Sequence, residues 1–480
     1  MSESVESNPY IASQDQIADP PARWVDRLKY LGPGFILSAS IVGSGELIMT
    51  TKLGAEAGFI CLWVVLVSCL IKVTVQLEFG KHAIFSGETT FSAFNKLPGP
   101  KFGRGNWSIW VWLALMTLKF LQVGAIVGGV AIILNMAFPW LSTEAWTPIA
   151  AISVSLLVFR GYYQPIEKIS IVMIGAFTVL TLVSVFMLQK TQYAVSWPDI
   201  ASGMKFELPA AYVAVALGAF GITGVGGDEV MMYNYWLLEK GYAAKTGPRG
   251  DGYDPVWTKR AKGWIQIMYL DAILAMVAYT IVTMAFFVLG AAVLHAQGLV
   301  PESNELVETL SRMYTETLGV GAKDVFLAGA FVVLYSTLLS ALAGWTRLFT
   351  DAWAQISGFD FTNSHARNRF ISILAWVIPL AWGGLFLFFK APGMMVMLGG
   401  IATAVILLIV LFAAIHFRYR RLPAELKPSM AYDIAFWISA FSIVGVGVYS
   451  VWSSLPKPKD EAAKPAIEEN AVPQQAEKAD

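Results

Sequence analysis

Ser40-Ile41-Val42-Gly43-Ser44-Gly45-Glu46 lies inside one apolar run, and Thr223-Gly224-Val225-Gly226-Gly227-Asp228-Glu229 lies inside another, 183 positions further on. Val42 aligns with Val225, Gly43 with Gly226 and Glu46 with Glu229, and apolar Leu47 and Val230 follow the two acids. A glycine in a helix interior weakens it by about 1 kcal/mol relative to Ala. A carboxylate at the centre of a bilayer costs at least ~2.5 kcal/mol on insertion scales. Two glycine-rich breaks, each closing on an acid and standing five apolar segments apart, match an inverted-repeat carrier whose broken helices meet at a midplane site. The plainer alternative is that the glycines allow close helix packing and the acids pair with buried Lys72 or Lys119.

The composition around these stretches is that of a membrane protein. The chain has 480 residues, 56% of them hydrophobic and 14% charged, with a mean hydropathy of +0.58. A soluble domain carries roughly a quarter charged residues. With 34 basic and 34 acidic side chains, no basic surface is available for nucleic acid. Four His and two Cys leave little for a zinc or thiol site, and Cys61 and Cys69 share one apolar stretch, so no disulfide framework is expected. No Ser-His-Asp grouping, phosphate loop or His-Glu-x-x-His pattern is present, so neither an enzyme nor a cofactor is expected. Met1 to Ala22 is polar and lacks the apolar core of a signal peptide, which fits a bacterial cytoplasmic membrane protein with an uncleaved start.

A helix needs about 20 apolar residues to cross the hydrocarbon layer. Eleven stretches qualify or nearly so: Leu31–Leu53, Phe59–Phe79, Trp107–Phe138, Trp146–Phe159 (short), Ile169–Leu188, Ala210–Leu238, Trp264–Leu294, Val325–Trp345, Phe370–Phe389, Gly393–Phe417 and Tyr432–Trp452. If the N-terminus is cytoplasmic, the inside segments hold 22 Lys and Arg and the outside loops five, Lys190, Lys205, Arg312, Lys323 and Lys390. That bias places the C-terminus outside. The reading is an all-α integral membrane protein. Residues 1–29 form a polar cytoplasmic segment, 30–430 a ten-helix core with repeats at about 30–190 and 210–420, 431–453 an eleventh helix, and 454–480 a disordered tail. Pro301, Glu305, Leu306, Leu310 and Met313 have the spacing of a short helix on the outer surface, read as a solvated face. His82, His295 and His416 at span ends, and His365 in a basic loop, are not assigned to metal. Trp24, Trp107, Trp146, Trp264, Trp345 and Trp452 also lie near span ends, as interfacial anchors do.

Gly32-Pro33-Gly34 opens the first stretch, and Leu62-Trp63, Gln76 and Ser86-Gly87 punctuate the second. Gly218-Ala219-Phe220-Gly221 enters the sixth, Asp271 lies in the seventh, and Ser336-Thr337 with Ala343-Gly344 lie in the eighth. In aggregate, over roughly Leu31 to Arg420, this resembles the natural resistance-associated macrophage protein (Nramp) family of divalent-metal carriers. The resemblance implies the leucine-transporter type of fold, two inverted repeats of five helices with helices one and six broken, and a carrier working by alternating access.

The departures from that family fall at the centre. Gly43-Ser44-Gly45-Glu46 stands where the family has Asp-Pro-Gly-Asn, and Val225-Gly226-Gly227-Asp228 where it has Met-Pro-His-Asn. The soft thioether and the proton-handling His are therefore missing. Lys119 and Gln122 stand in the third span where acidic residues are common, so proton-coupled manganese or iron import does not simply carry over. The expected substrate site comprises Gly43, Ser44, Gly45, Glu46, Ile222, Val225, Gly226, Gly227, Asp228 and Glu229. Glu46, Asp228 and Glu229 are its cation ligands, a hard oxygen set suited to magnesium, calcium or manganese. Lys72, Lys119, Gln122 and Asp271 are the coupling or ion-pair candidates, with Glu78, Asp271 or the central acids as partners for the two lysines. Lys119 is also a fixed charge that could replace a coupling proton. The expected partners are a small cation and the lipid bilayer. Two rival readings are transport of an organic ion or small metabolite on the same scaffold, and a non-transporting membrane sensor.

Overall fold

A computed structural model describes residues 8–11, 14–43, 45–159, 163–301, 306–319 and 321–454. Ser44, Glu305 and the tail expected to be disordered lie outside the described residues. In hydrocarbon every backbone N–H and C=O must be satisfied by the chain itself, which leaves helix as the form for isolated apolar segments. All eleven apolar stretches carry helix. In chain order the helices are α1 (Pro33–Ile41), α2 (Thr51–Ala57), α3 (Leu62–Ser86), α4 (Trp107–Ala137), α5 (Thr143–Val158), α6 (Tyr163–Leu188) and α7 (Val213–Ile222). They continue as α8 (Gly227–Glu239), α9 (Pro255–Leu289), α10 (Leu306–Leu318), α11 (Ala322–Ser357), α12 (Ser364–Phe389), α13 (Pro392–His416) and α14 (Met430–Ser454). Eight helical segments among the described residues are long and apolar enough to cross a membrane, counting Gly45–Ser86 as one continuous run.

Helix starts follow local chemistry. Asn106 accepts from the Ser108 N–H at 3.1 Å, and Asp254 accepts from the N–H groups of Val256 and Trp257 at 2.8 and 3.1 Å with Pro255 in the first turn. Each cap satisfies donors that the first helical turn leaves free. The two interior breaks fall where the glycines stand. α1 stops at Ile41 and the chain resumes as a π-helical turn, Gly45–Thr50, before α2. α7 stops at Ile222, Thr223 is extended, Gly224 takes the left-handed φ of +69° that favours glycine, and α8 begins at Gly227.

Packing places these breaks at the centre. α4 runs along α13, α12 and α11, α1 lies against α9 and α11, and α8 lies against α3 and α13. Asp271 of α9 fixes the start of α1, accepting from the N–H groups of Gly32 and Gly34 at 2.9 and 2.7 Å and from the Tyr233 hydroxyl at 3.2 Å. A Cβ at Gly34 would meet that carboxylate at 2.9 Å, so Gly-Pro-Gly is the sequence form of a close helix–helix approach. Asp271 and Glu78 therefore have partners other than Lys72 and Lys119. Glu78 sits between Lys81 and Arg418, 2.6 Å from each, and Arg418 also pairs with Asp433 of α14.

Two surface expectations change in the structure. α10 exposes Glu308 and Arg312 but buries Leu310, Met313 and Tyr314. Its Val307 and Leu310 close a small, wholly apolar cavity with Leu47, Ile48 and Phe326. Trp264 and Trp345 are fully buried. Trp264 lies well inside α9 and donates to the Ala18 carbonyl at 2.9 Å, so this indole serves as a buried donor.

Past the end of α3, Glu88 joins three segments: Lys96 at 2.6 Å, Arg421 at 2.8 Å and, through its backbone carbonyl, Asn234 at 3.1 Å. Burial opposes its ionisation, but hydrogen bonds from Arg421 and Lys96 outweigh that and hold the carboxyl at about 2, below the ordinary 4.5. A depressed carboxylate stabilises the fold above its unfolded pKa and loses that contribution as pH falls through the folded one. The wild-type melting temperature should therefore sag between about pH 4.5 and pH 2. Glu88→Gln should flatten that part of the profile and lower stability at pH 7; an acid limb of unchanged depth in the variant would contradict the assignment.

Candidate functional site

Where the two breaks meet lies a partly polar cavity of about 30 Å³. That is room for one or two water-sized occupants. Ser40, Ile41 and Gly45 line it from the first break, and Ile222, Gly226, Asp228 and Glu229 from the second. α4 contributes Lys119 and Gln122, α11 contributes Thr337, Ala341 and Trp345, and α13 contributes Thr403.

Asp228 and Glu229 occupy the first turn of α8, where the positive end of the helix dipole favours anionic groups. Lys119 Nζ forms an ion pair with Asp228 Oδ1 at 3.1 Å and donates to Thr403 Oγ1 at 2.9 Å. The Trp345 indole N–H donates to the other Asp228 oxygen, Oδ2, at 3.1 Å. Gln122 Oε1 is buried without a hydrogen-bond partner among the described residues. The cavity therefore holds two carboxylates, one ammonium and an unused amide oxygen. Gly45 is required by close approach: a Cβ there would sit 3.3 Å from the Ile222 carbonyl and clash with its side chain at 2.3 Å.

Glu46 does something else. It is completely buried and does not line the cavity. Its Oε2 accepts from the Gly43 N–H at 3.3 Å and its Oε1 from the Gly224 N–H at 3.2 Å, so one carboxyl spans both breaks. Lys72 lies within 2.5 Å of the Phe220 carbonyl and 2.7 Å of the Thr223 carbonyl. The structure thus brings Asp228, Glu229, Lys119, Gln122, Gly45, Gly226 and Ile222 together around the cavity. It sets Glu46, Lys72, Asp271, Val225 and Gly227 in the surrounding frame. Gly43 belongs to that frame too, since a Cβ on it would meet Thr337 Oγ1 at 2.2 Å. No group of three His, Cys, Asp or Glu side chains placed to hold a metal is found among the described residues.

Sequence reasoning missed Trp345, Thr337 and Thr403. Thr337 Oγ1 lies 3.2 and 3.3 Å from the carbonyls of Ala39 and Val42, the end of α1. The available signal was a hydroxyl or indole in the interior of an otherwise apolar helix, which needs a polar partner there.

The profile described as "Natural resistance-associated macrophage protein-like" matches residues 34–453. The chain belongs to the Nramp family. Among its relatives is the "Divalent metal cation transporter MntH" of Xanthomonas campestris pv. campestris, 25% identical over 326 residues, covering 67% of this chain and 68% of the relative. The fold is similar to that of a mutant of the Eremococcus coleocola manganese transporter, with a TM-score of 0.66 at 14% identity over 92% of this chain and 90% of that one. It is also similar to that of Mhp1, a nucleobase-cation-symport-1 family transporter, with a TM-score of 0.53 at 14% identity over 91% and 92%. This Nramp protein is accordingly a multi-pass membrane transporter of the leucine-transporter fold, with its first and sixth apolar stretches broken, and not an enzyme.

Removing the Glu46 carboxyl leaves two buried N–H groups without an acceptor, each costing roughly 1–3 kcal/mol. Glu46→Ala in the purified Nramp protein should lower its thermal unfolding midpoint by several degrees in detergent. An unchanged midpoint would remove Glu46 from its bridging role.

Proposed function

We propose that this Nramp protein carries a divalent metal cation by alternating access, with Asp228 and Glu229 as the anionic groups that receive it. The observation that carries the reading is the pair of adjacent carboxylates lining a cavity of about 30 Å³ between the two helix breaks. A space of that size suits an ion and leaves little for an organic metabolite. The relative from Xanthomonas campestris is named a divalent metal cation transporter and the Eremococcus coleocola neighbour a manganese transporter, which supports the same substrate class. The groups on hand are hard oxygens: two carboxylates, Gln122 Oε1 and the Ile222 carbonyl beside Gly45. Such a set favours manganese, magnesium and calcium over softer metals. The protein sits in the cell membrane with its N-terminus cytoplasmic and C-terminus outside, the arrangement favoured by the Lys and Arg bias.

Lys119 gives the cycle its reset. In the empty cavity its ammonium neutralises Asp228, so the unloaded carrier returns with one negative charge fewer at membrane depth. An arriving dication displaces it, and the Thr403 hydroxyl, already 2.9 Å away, keeps the ammonium hydrogen-bonded. A fixed positive charge at this place makes a transported proton unnecessary.

Proteoliposomes containing the full chain should take up manganese, magnesium and calcium, and Asp228→Asn should reduce the rate at least ~10-fold, the effect of losing about 1.4 kcal/mol of interaction. Manganese uptake with none for magnesium or calcium would contradict the hard-oxygen site. Wild-type uptake should be the same with and without an imposed pH gradient. A strong proton dependence that is lost in Lys119→Ala would contradict the role given to Lys119.

A further inference from the structure

Lys72 sits in the middle of α3 with no exposed surface. A buried ammonium normally demands an anion, yet no carboxylate among the described residues pairs with it. Its partners are backbone oxygens at the broken end of α7: the carbonyls of Phe220 at 2.5 Å, Thr223 at 2.7 Å and Gly221 at 3.5 Å. The Phe220 ring lies 4.8 Å from the same nitrogen. Ser68, one helical turn before Lys72, has its hydroxyl 3.0 Å from both the Phe220 and the Thr223 carbonyl, one proton shared between them, and accepts from the Thr223 hydroxyl at 2.9 Å.

These oxygens are what a helix C-terminus leaves over. The last carbonyls of α7 have no N–H to accept from because the chain turns away at Thr223 and Gly224. They carry the negative end of the half-helix dipole, equivalent to roughly half an elementary charge. Unwound carbonyls at the end of a broken half-helix are the groups that coordinate a small dissolved cation in carriers built this way. In this chain the cage holds a cation that belongs to the protein.

We infer that Lys72 is a tethered counter-cation: its ammonium fills a carbonyl cage that would otherwise take a dissolved monovalent cation, so the carrier cycles without a monovalent co-ion. A simple helix cap and a tethered ion make the same contacts but respond differently to removal. A lost cap only destabilises. A lost tethered ion also opens a vacant site selective for small cations.

The test uses the full chain in detergent, wild type and Lys72→Met, melted in sodium, ammonium or choline chloride at one ionic strength. The wild-type midpoint should be the same in all three salts. Lys72→Met should melt lower in choline and recover by at least ~2 °C in sodium or ammonium, since binding only to the folded state raises the midpoint. A folded Lys72→Met that does not distinguish the salts would overturn the proposal. So would a wild type stabilised by sodium or ammonium over choline, which decides the matter even if the variant cannot be folded. Manganese uptake by wild-type proteoliposomes should likewise be equal in sodium and choline, and sodium-dependent uptake would contradict the inference. Only this last arm rests on the proposed cargo: absence of uptake for every metal would strike the cargo, and the melting arms would still judge Lys72.

Discussion

Backbone groups released in the middle of a bilayer have no water to turn to, and the centre of this protein is organised around that constraint. Breaking two helices frees carbonyls at the ends of α1 and α7 and N–H groups beyond them. The Thr337 hydroxyl lies against the α1 carbonyls. Lys72 and Ser68 take those of α7. Glu46 takes one N–H from each break. Because Glu46 joins the two breaks directly, neither can rewind or shift without the other losing a partner. That link suits a carrier in which both breaks must change together between the two faces of the membrane.

Once the frame is satisfied by residues outside the cavity, the cavity's own charges are left for a substrate. Lys119, Asp228 and Glu229 are the charged side chains among its described lining residues. Asp228 is the most constrained, held between the Lys119 ammonium on one oxygen and the Trp345 indole on the other. The Trp345 N–H keeps the carboxylate aimed while the ammonium is exchangeable. On the proposed function, a dication at this place would meet an oriented anion whose present partner is replaceable by a stronger charge, a physical reason for the pair to open on loading and to close on release.

Much of this was legible in the chain. The breaks were marked by Gly43, Gly45, Gly224, Gly226 and Gly227, because glycine in an apolar helix interior is destabilising unless the backbone must leave the helix. The acids beside them announced a polar centre, because charge at that depth is expensive. Which acid did which task was not legible. Glu46 and Glu229 occupy equivalent places in the repeat, yet one carboxyl turns into the frame and the other lines the cavity. Side-chain direction there depends on the π-helical turn at Gly45–Thr50 against the regular helix that starts at Gly227, and no periodicity encodes that difference. The partners of Lys72 were equally hidden, since backbone carbonyls carry no signature in the amino-acid letters. Trp264 and Trp345 misled for a related reason: position near a span end fits an interfacial anchor, and only packing shows an indole turned inward to a carbonyl or a carboxylate.

On the proposed function, the cavity between the two breaks receives the metal on Asp228 and Glu229. Anomalous diffraction from crystals of the full chain soaked in manganese tests it most directly. The expected result is an anomalous peak inside the cavity, about 2.0–2.6 Å from oxygens of Asp228 or Glu229, the range of metal–oxygen bonds to hard cations, with the Lys119 ammonium withdrawn toward Thr403. A peak at Glu46 or outside the cavity, or a cavity that stays empty while Lys119 remains on Asp228 at saturating manganese, would contradict it.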